Sequence, residues 1–265
     1  MDLGISGRAF LVVGANGGVG RAVCAALVRE GAGSLALGVR DQEAGASLAQ
    51  ELRSLSADVG LAVIACDLEV TDEAASVVPA ATAAIGPLDG VVMAAGDPPS
   101  GTLWDVDDQA WDRVLRTMLL GPIRVIRAVL PGMAERGWGR VVVVAGLNGR
   151  KPAAGGVIAG VVCAGLANVV TAVAKEVIAS GVTVNVVDPH FTDTPRWQRH
   201  VQRVSAQAGV STEDAAKQLL RDVPRGRPVP ADDVANAIVF LLSEQAASIS
   251  GAALPIDGAV NPGIY

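Results

Sequence analysis

A cluster of glycines near the N-terminus has the spacing of a phosphate-binding turn. The chain reads Val13-Gly14-Ala15-Asn16-Gly17-Gly18-Val19-Gly20 between an apolar run and a helix-like segment. Glycines at such a junction allow a tight turn and a close approach of the backbone to a pyrophosphate, whose charge then lies at a helix N-terminus. The spacing differs from the commoner Gly-x-Gly-x-x-Gly, and a purely structural turn is the alternative interpretation.

Five polar residues follow apolar runs at places where acid–base or electrostatic chemistry could occur. Asn148 could orient a carbonyl group, and Arg150 or Lys151 could stabilise an oxyanion, although all three also fit a solvated turn. His190 titrates near neutrality, so it is a candidate acid or base, or else a residue packed beneath a neighbouring segment. Asp97 could face the same crevice, but its Asp-Pro-Pro sequence is also an ordinary turn.

The elements that must position these residues alternate between strand-like and helix-like patterns. We expect strands at residues 9–13, 34–39, 61–65, 90–94, 140–145, 182–187 and 253–256. We expect helices at residues 19–30, 41–54, 72–84, 108–136, 154–180 and 231–243. This alternation predicts an α/β fold, a single-domain Rossmann-like doubly wound sheet of about seven parallel strands with helices on both faces.

The composition fits one domain over residues 1–265, with a core of Ala, Val, Leu and Ile because only 3% of residues are aromatic. Residues 191–230 are more polar and interrupt the alternation. We therefore expect this segment to form a mobile substrate-binding cap over the crevice.

Charge and residue usage argue against several classes of partner. A net charge of −6 without a basic run disfavours nucleic acid, and two histidines with scattered acids lack metal-ligand spacing. Three unpaired cysteines fit a reducing cytoplasm, and residues 1–6 lack the features of a signal peptide. Residues 152–174 carry no charge and could span a bilayer by length, but their Gly and Ala content favours a helix buried between the sheet and a neighbouring subunit. We predict a cytoplasmic protein that does not enter a membrane.

Together, the motifs resemble those of the short-chain dehydrogenase/reductase family, whose usual first motif is Thr-Gly-x-x-x-Gly-x-Gly. Here Val13 replaces the threonine. Further segments are similar to family motifs: Cys66-Asp67-Leu68, Met93-Ala94-Ala95-Gly96, Asn185-Val186-Val187-Asp188-Pro189-His190, Gly226-Arg227-Pro228, Ser250-Gly251 and Asp257-Gly258. The resemblance covers nearly the whole chain and implies cofactor contacts by Gly14, Asn16, Gly17, Gly18, Val19, Gly20, Asp67, Leu68, Ala95, Gly96, Pro189 and Thr194. Together with the apolar helix, the resemblance also implies a homo-oligomer, a dimer or a tetramer.

The residue after the second strand bears on the choice of cofactor. Relatives that prefer NAD place an acid there to bind the ribose 2′-hydroxyl, whereas an arginine suits a 2′-phosphate. Here Val39 is followed by Arg40 and then Asp41. NADP(H) is therefore favoured over NAD(H), and the alternative interpretation of Arg40 is a solvated residue at the start of a helix.

The four catalytic residues that the resemblance implies are all replaced. The family's mechanism resembles acid–base catalysis by a tyrosine, with a lysine one helical turn later, a serine that orients the carbonyl and an asparagine that anchors a water relay. These positions correspond to Ala159, Cys163, Gly146 and Met118, respectively. Cys163 could act as a thiol acid or nucleophile, or be a small core residue. The only tyrosine, Tyr265, is the last residue, and it could reach another subunit's site or be a frayed terminus.

Three functions remain open. The protein could be a reductase that binds NADP(H) and a small, partly apolar substrate and works without the tyrosine, because hydride transfer depends mainly on positioning. It could instead be a cyclase, isomerase or lyase that retains nucleotide as a structural wall of its pocket. It could also be an inactive binding or partner protein. We favour an enzyme, and a reductase over a non-redox enzyme.

Overall fold

The structure, a computed structural model, describes residues 2–261. The strands are β1 Ala9–Val13, β2 Ser34–Val39, β3 Gly60–Ala65, β4 Gly90–Met93, β5 Gly139–Val144, β6 Val182–Pro189, β7 Thr192–Asp193, β8 Val229–Pro230 and β9 Ala253–Ile256. The α-helices are α1 Gly18–Arg29, α2 Gln42–Leu55, α3 Thr71–Ile85, α4 Asp108–Leu115, α5 Gly121–Glu135, α6 Val157–Val177, α7 Pro195–Ala208, α8 Thr212–Leu219 and α9 Ala231–Leu242.

Seven strands form one parallel sheet in the order β3-β2-β1-β4-β5-β6-β9. The chain leaves β1 in one direction to build β2 and β3 and returns to the other side of β1 to build β4. Ligands of doubly wound sheets bind at this switch point, outside the carboxyl ends of the strands. The prediction of an α/β, Rossmann-like sheet of about seven parallel strands is confirmed.

The sheet is buried on both faces, as the apolar runs of its strands require. Along β1, Phe10 and Val12 point into a core that also contains Leu27 of α1 and Ile238 of α9. The alternate residues, among them Leu11, point into a second core under α3, α5 and α6. Helices on both faces therefore fix the sheet from two sides and leave its carboxyl edge free to form a site.

The prediction of one continuous helix over residues 108–136 was wrong. A π-helical turn at Arg116–Leu120 separates α4 from α5, and the Gly121 N–H donates to the Arg116 carbonyl. The physical reason is Pro122, which has no N–H to donate to the carbonyl four residues earlier. The widened turn places Met118 at the carboxyl edge of the sheet.

Helix α6 begins at Val157, three residues later than expected, because Gly155 and Gly156 lie in the preceding turn. Within residues 2–261, the segment Val157–Ser180 is the one helix long and apolar enough to cross a membrane. Its inner face, with Ile158, Val162 and Leu166, is buried against the rest of the protein. This packing is typical of a core helix, and the absence of a membrane span stays a prediction.

Residues 191–230 form a separate lobe built on α7 and α8. The two ends of the lobe are held together by the parallel pairing of β7 with β8, where Thr192 lies opposite Val229. Both ends are thus anchored beside the carboxyl end of β6. The lobe therefore lies where a cap over the crevice would have to lie.

Candidate active site

The carboxyl edge of the sheet and the lobe of residues 191–230 enclose a cavity of about 670 Å³. Its floor comes from the ends of β4, β5 and β6 and from α6, and α7 closes the opposite side. Eleven of the residues singled out from the sequence line it: Ala95, Gly96, Asp97, Met118, Gly146, Asn148, Ala159, Cys163, Pro189, His190 and Thr194. A cavity of this size can hold a small molecule beside a nucleotide.

The glycines between β1 and α1 are required by close backbone packing. Gly14 has a φ of +81°, and a Cβ there would lie 2.7 Å from the amide nitrogen of Ala95. A Cβ on Gly20 would lie 2.1 Å from the Gly14 carbonyl oxygen. On Gly18, a Cβ would lie 2.4 Å from Cγ2 of Thr194, so the lobe contacts the turn at this residue. The turn is therefore held tightly against β4 and against the lobe.

The N-terminus of α1 is open to an anion. Gly17 occupies the N-cap position without a side-chain cap, and the first turn carries no acidic residue. Unpaired N–H groups at a helix N-terminus bind phosphate groups, aided by the helix dipole. Asn16 and Gly17 are exposed, and Val19 is half-buried. These features fit the pyrophosphate of a dinucleotide.

The predicted adenine contacts lie at the end of β3. The Asp67 carboxylate accepts a hydrogen bond from the Glu69 N–H at 2.9 Å, and the Asp67 N–H donates to the Glu73 carboxylate at 2.7 Å. Asp67 is half-buried, whereas the Leu68 side chain is buried in the core under α3. Leu68 can therefore offer only its backbone to a ligand.

Arg40 and Asp41 at the end of β2 have different surroundings. The Asp41 carboxylate caps α2 by accepting a hydrogen bond from the Ala44 N–H at 3.0 Å. Arg40 is exposed. The acid at this corner is thus used by the helix, and the cation is available to a ligand.

The four positions assigned by resemblance to catalytic residues meet on the cavity floor. Met118, Gly146, Ala159 and Cys163 all line it. The Met118 side chain packs against Gly96, where a Cβ would lie 2.8 Å from the methionine methyl carbon. Burial raises the pKa of the Cys163 thiol to about 12, an effect that the nearby Asp188 charge reinforces and Arg196 opposes. Cys163 is therefore a neutral core thiol, and the alternative of a thiol acid or nucleophile is not supported at neutral pH.

His190 lies in the cavity wall at the end of β6. Its ring centroid is 4.2 Å from that of Phe191, within an aromatic wall that also contains Trp197 and His200. Burial lowers the pKa of His190, and the charge of Lys151 adds to this effect while Asp257 opposes it. His190 is thus a neutral imidazole at physiological pH that can accept or donate one hydrogen bond.

The polar residues of the loop after β5 point in two different directions, one towards the cavity and one away from it. Asn148 lines the cavity and lies against Gly156 at the start of α6. Arg150 turns away: its Nε donates to Asp188 at 3.0 Å, and its Nη2 donates to the Ala253 carbonyl. The Lys151 ammonium donates to the Val260 carbonyl at 3.3 Å. The structure therefore brings Asn148 to the cavity but not Arg150 or Lys151, which stabilise the β6–β9 edge instead.

We expect Arg150→Ala to lower the free energy of unfolding by about 2 kcal/mol at neutral pH, because it leaves the buried Asp188 carboxylate without its cation. Burial already raises the pKa of Asp188 despite Arg150, and the variant raises it further. A carboxyl with a raised folded-state pKa binds its proton more tightly when folded, so stability falls as pH rises through that pKa. The difference in free energy of unfolding between wild-type protein and Arg150→Ala should therefore be smaller when urea unfolding is measured at acidic pH.

Asp188→Asn in the Arg150→Ala background is the matched control. It removes the titrating group, so the pH dependence introduced by Arg150→Ala should disappear. Unchanged unfolding of Arg150→Ala at neutral pH would contradict a structural role for this ion pair.

The structure also brings basic residues to the cavity that the sequence analysis missed. Arg196, Arg199 and Arg203 lie on one face of α7 and line the cavity rim. The Asp97 carboxylate pairs with Arg196 Nε and Arg199 Nη2, both at 2.9 Å. The spacing of three and four residues on a helix was visible in the sequence. It did not show that this face turns inwards.

A doubly wound parallel sheet with a glycine turn at its switch point defines a dinucleotide-binding α/β protein. The sequence model of the family described as enoyl-(acyl carrier protein) reductase matches residues 14–261. The chain is 30% identical over 258 residues to the 3-oxoacyl-(acyl carrier protein) reductase FabG of Escherichia coli, covering 97% of this chain and 98% of the relative. It is 29% identical over 253 residues to an acetoacetyl-CoA reductase of Allochromatium vinosum, covering 95% of this chain and 97% of the relative.

A solved structure of another reductase has the same fold as this chain. The L-sorbose reductase of Gluconobacter frateurii, in complex with NADPH and L-sorbose, superposes with a TM-score of 0.93 at 26% identity over 100% of both chains. The chain therefore belongs to the short-chain dehydrogenase/reductase family.

Proposed function

We propose that the protein is an NADP(H)-dependent reductase that acts on a small, partly apolar substrate by a mechanism without a tyrosine acid. The observation that carries the proposal is the contrast between the two halves of the site. The glycine turn and the N-terminus of α1 keep the form that a pyrophosphate needs, whereas the floor carries Met118, Gly146, Ala159 and Cys163. A protein without turnover has no evident need for an intact nucleotide site beside an enclosed cavity.

Support for the cofactor comes from the site and from relatives. The uncapped N-terminus of α1 at Gly17 can receive a pyrophosphate, and Arg40 is available to a 2′-phosphate while Asp41 caps α2. The L-sorbose reductase that this chain resembles is in complex with NADPH. We therefore propose NADP(H) in preference to NAD(H). Among residues 2–261 no group of three or more side chains is arranged to hold a metal, and we propose none.

The proposed chemistry follows from what the floor lacks. Bound nicotinamide supplies or accepts a hydride. A substrate such as an iminium ion becomes a neutral amine when it takes a hydride, so no proton donor is needed; a conjugated acceptor needs only a weak one. Asn148 can hydrogen-bond the polar end of the substrate, and neutral His190 can do the same from the end of β6. The apolar floor and Phe191 offer an apolar surface to the rest of the substrate.

The test is a measurement of NADPH oxidation with a cyclic iminium salt and with a simple ketone of similar size. We expect oxidation with the iminium at a rate that Ala159→Phe leaves within a few-fold. Turnover of a substrate that proceeds equally with oxidised cofactor would instead favour the cyclase, isomerase or lyase alternative. Nucleotide binding without turnover of iminium, enone or ketone substrates would favour a binding protein.

Arg40→Asp should weaken NADPH binding about tenfold or more, because it replaces the cation proposed for the 2′-phosphate by an anion. NADH binding should strengthen, since a carboxylate at this place suits a ribose 2′-hydroxyl. Calorimetric titration of both nucleotides measures the change. Arg53→Asp is the control, because it makes the same change of charge at the opposite end of α2. Equal effects of the two variants would show that only overall charge matters.

We also propose that the protein is a cytoplasmic homo-oligomer, a dimer or a tetramer, without nucleic-acid or membrane partners. Support comes from the outer face of α6, where Val161 is 48% exposed. It lines an apolar groove together with Leu103 and Pro152. Covering this face in an oligomer would bury apolar surface that a lone chain leaves in water.

A further inference from the structure

The rim of the cavity carries an excess of positive charge that the reaction proposed above does not use. Among the described residues that line the cavity, the charged side chains are Asp97, Arg196, Arg199 and Arg203. Three cations face one anion, in a chain whose formal net charge is −6. A local potential opposite in sign to that of the whole protein marks a place where an anion is recognised.

The arrangement of two of these arginines matches a carboxylate. The two oxygens of Asp97 pair separately with Arg196 Nε and Arg199 Nη2 at 2.9 Å. Two guanidinium groups that share one carboxylate form a directional clamp, for which arginine is better suited than lysine. Asp97 thus shows directly that the clamp of Arg196 and Arg199 can hold a carboxylate.

The ion pairs in the clamp can be exchanged at a small cost in free energy. The side chains of Arg196, Arg199 and Asp97 are each more than half exposed, at 52%, 61% and 55%. Exposed ion pairs contribute little to stability because water solvates both partners well. Another carboxylate could therefore replace that of Asp97 without loss of the fold.

The third arginine holds a fixed position beside the clamp. Arg203 donates through Nη2 to the Ser100 hydroxyl at 2.8 Å and approaches His200 Nδ1 at 2.5 Å. Burial lowers the pKa of His200, and the charges of Arg203 and Arg196 lower it further. His200 therefore stays neutral, and the anion preference of the rim comes from the arginines alone.

Below the rim the cavity is aromatic. Phe191 and Trp197, whose ring centroids are 4.9 Å apart, line the cavity together with His190, although the whole chain is only 3% aromatic. A ligand that satisfies both regions has an apolar body and one acidic group.

We propose that the substrate carries a carboxylate, which Arg196 and Arg199 bind in place of the internal carboxylate of Asp97. This inference rests on the proposed function and specifies the class of substrate at the same site. In the absence of substrate, the Asp97 carboxylate then occupies the clamp and keeps its two arginines ordered. It is a specificity residue rather than the acid or base that the sequence suggested.

The experiment measures binding rather than turnover. The NADP⁺ complex is titrated calorimetrically with 4-oxononanoate and with its methyl ester, which share the apolar chain and the ketone. We expect the acid to bind several-fold more tightly than the ester. Arg199→Ala should abolish that difference and leave the ester unchanged. Asp97→Asn should tighten the acid several-fold, because the internal competitor is lost, with no effect on the ester.

Arg221→Ala is the matched control, since Arg221 is an exposed arginine beyond α8 that does not line the cavity. It should leave both affinities unchanged. Equal binding of acid and ester, or weaker binding of the acid by Asp97→Asn, would overturn the inference. An Arg199→Ala variant that loses NADP⁺ as strongly as the acid would also overturn it, because the clamp would then serve the cofactor. Failure of wild-type protein to bind NADP⁺ would refute the proposed function itself.

Discussion

Replacing Gly17 with aspartate is expected to weaken NADPH binding about 100-fold or more while leaving the fold at least as stable. Gly17 is the N-cap of α1, with the extended backbone that N-cap residues adopt, and no side chain caps the helix there. Aspartate is a preferred N-cap residue, so its carboxylate should bind the first N–H groups of α1 and gain a few tenths of a kcal/mol. The same N–H groups are those proposed for the pyrophosphate.

The size of the effect follows from charge. A carboxylate and a phosphate at a separation of about 5 Å repel by about 3 kcal/mol when the effective dielectric constant is about 20, which is a factor of about 100 or more in Kd. A Cβ at Gly17 would lie 3.2 Å from the Gly14 carbonyl oxygen, which a shift of a few tenths of an ångström accommodates. Calorimetric titration with NADPH measures the loss of affinity, and a thermal unfolding curve measures the stability of the fold.

Gly17→Asn separates charge from size. Asparagine has nearly the same shape and is an equally good N-cap, but it is neutral. It should cost much less affinity than aspartate. Equal losses for the two variants would point to sterics alone, and full affinity of the aspartate variant would mean that the glycine turn has only a structural role.

Most of the fold could be predicted because parallel strands buried on both faces have a simple sequence signature. The predicted ends of residues 9–13, 34–39 and 253–256 coincide with β1, β2 and β9. Each is a short run of mainly apolar residues ended by a turn or by the edge of the sheet. The break between α4 and α5 was missed because the apolar period continues through it. Pro122 interrupts the helix because it lacks the N–H that would donate a hydrogen bond to the preceding turn, and this loss leaves no trace in the apolar pattern.

The site was harder to predict because the role of each residue depends on where its side chain points, which the residue type does not show. Arg150 and Asn148 lie two residues apart in one loop, yet Arg150 turns to Asp188 and Asn148 faces the cavity. The arginines of α7 resemble a solvated helix face in the sequence, and only the docking of the lobe places them along the rim of the cavity. Residues held by backbone geometry, such as Gly14, could be recognised from spacing. Residues whose roles depend on packing between distant elements could not.

Restoring the four implied catalytic residues is expected to raise kcat/KM for a simple ketone about 100- to 10,000-fold, the usual contribution of a positioned acid. The variant combines Met118→Asn, Gly146→Ser, Ala159→Tyr and Cys163→Lys. All four positions line the same cavity, whose volume of about 670 Å³ can admit a tyrosine ring.

The backbone at Gly146 accepts a side chain. Gly146 has an extended φ of 170°, and a Cβ there would meet Cys163 Sγ and the Pro189 carbonyl oxygen at an ordinary 3.7 Å. At position 163, burial is the main cause of the raised thiol pKa and would disfavour the ammonium of a lysine, whereas the charge of Asp188 would favour it.

The control is the same variant with Ala159→Phe, which has the ring but no hydroxyl. It should bind NADPH as the tyrosine variant does and show no gain with the ketone. A gain in both variants would mean that filling the cavity, rather than proton donation, limits the reaction. If NADPH binds and the tyrosine variant still shows no gain, the floor of this cavity does not face the reacting carbon. The proposal that wild-type protein reduces its substrate from this floor without a tyrosine would then be wrong.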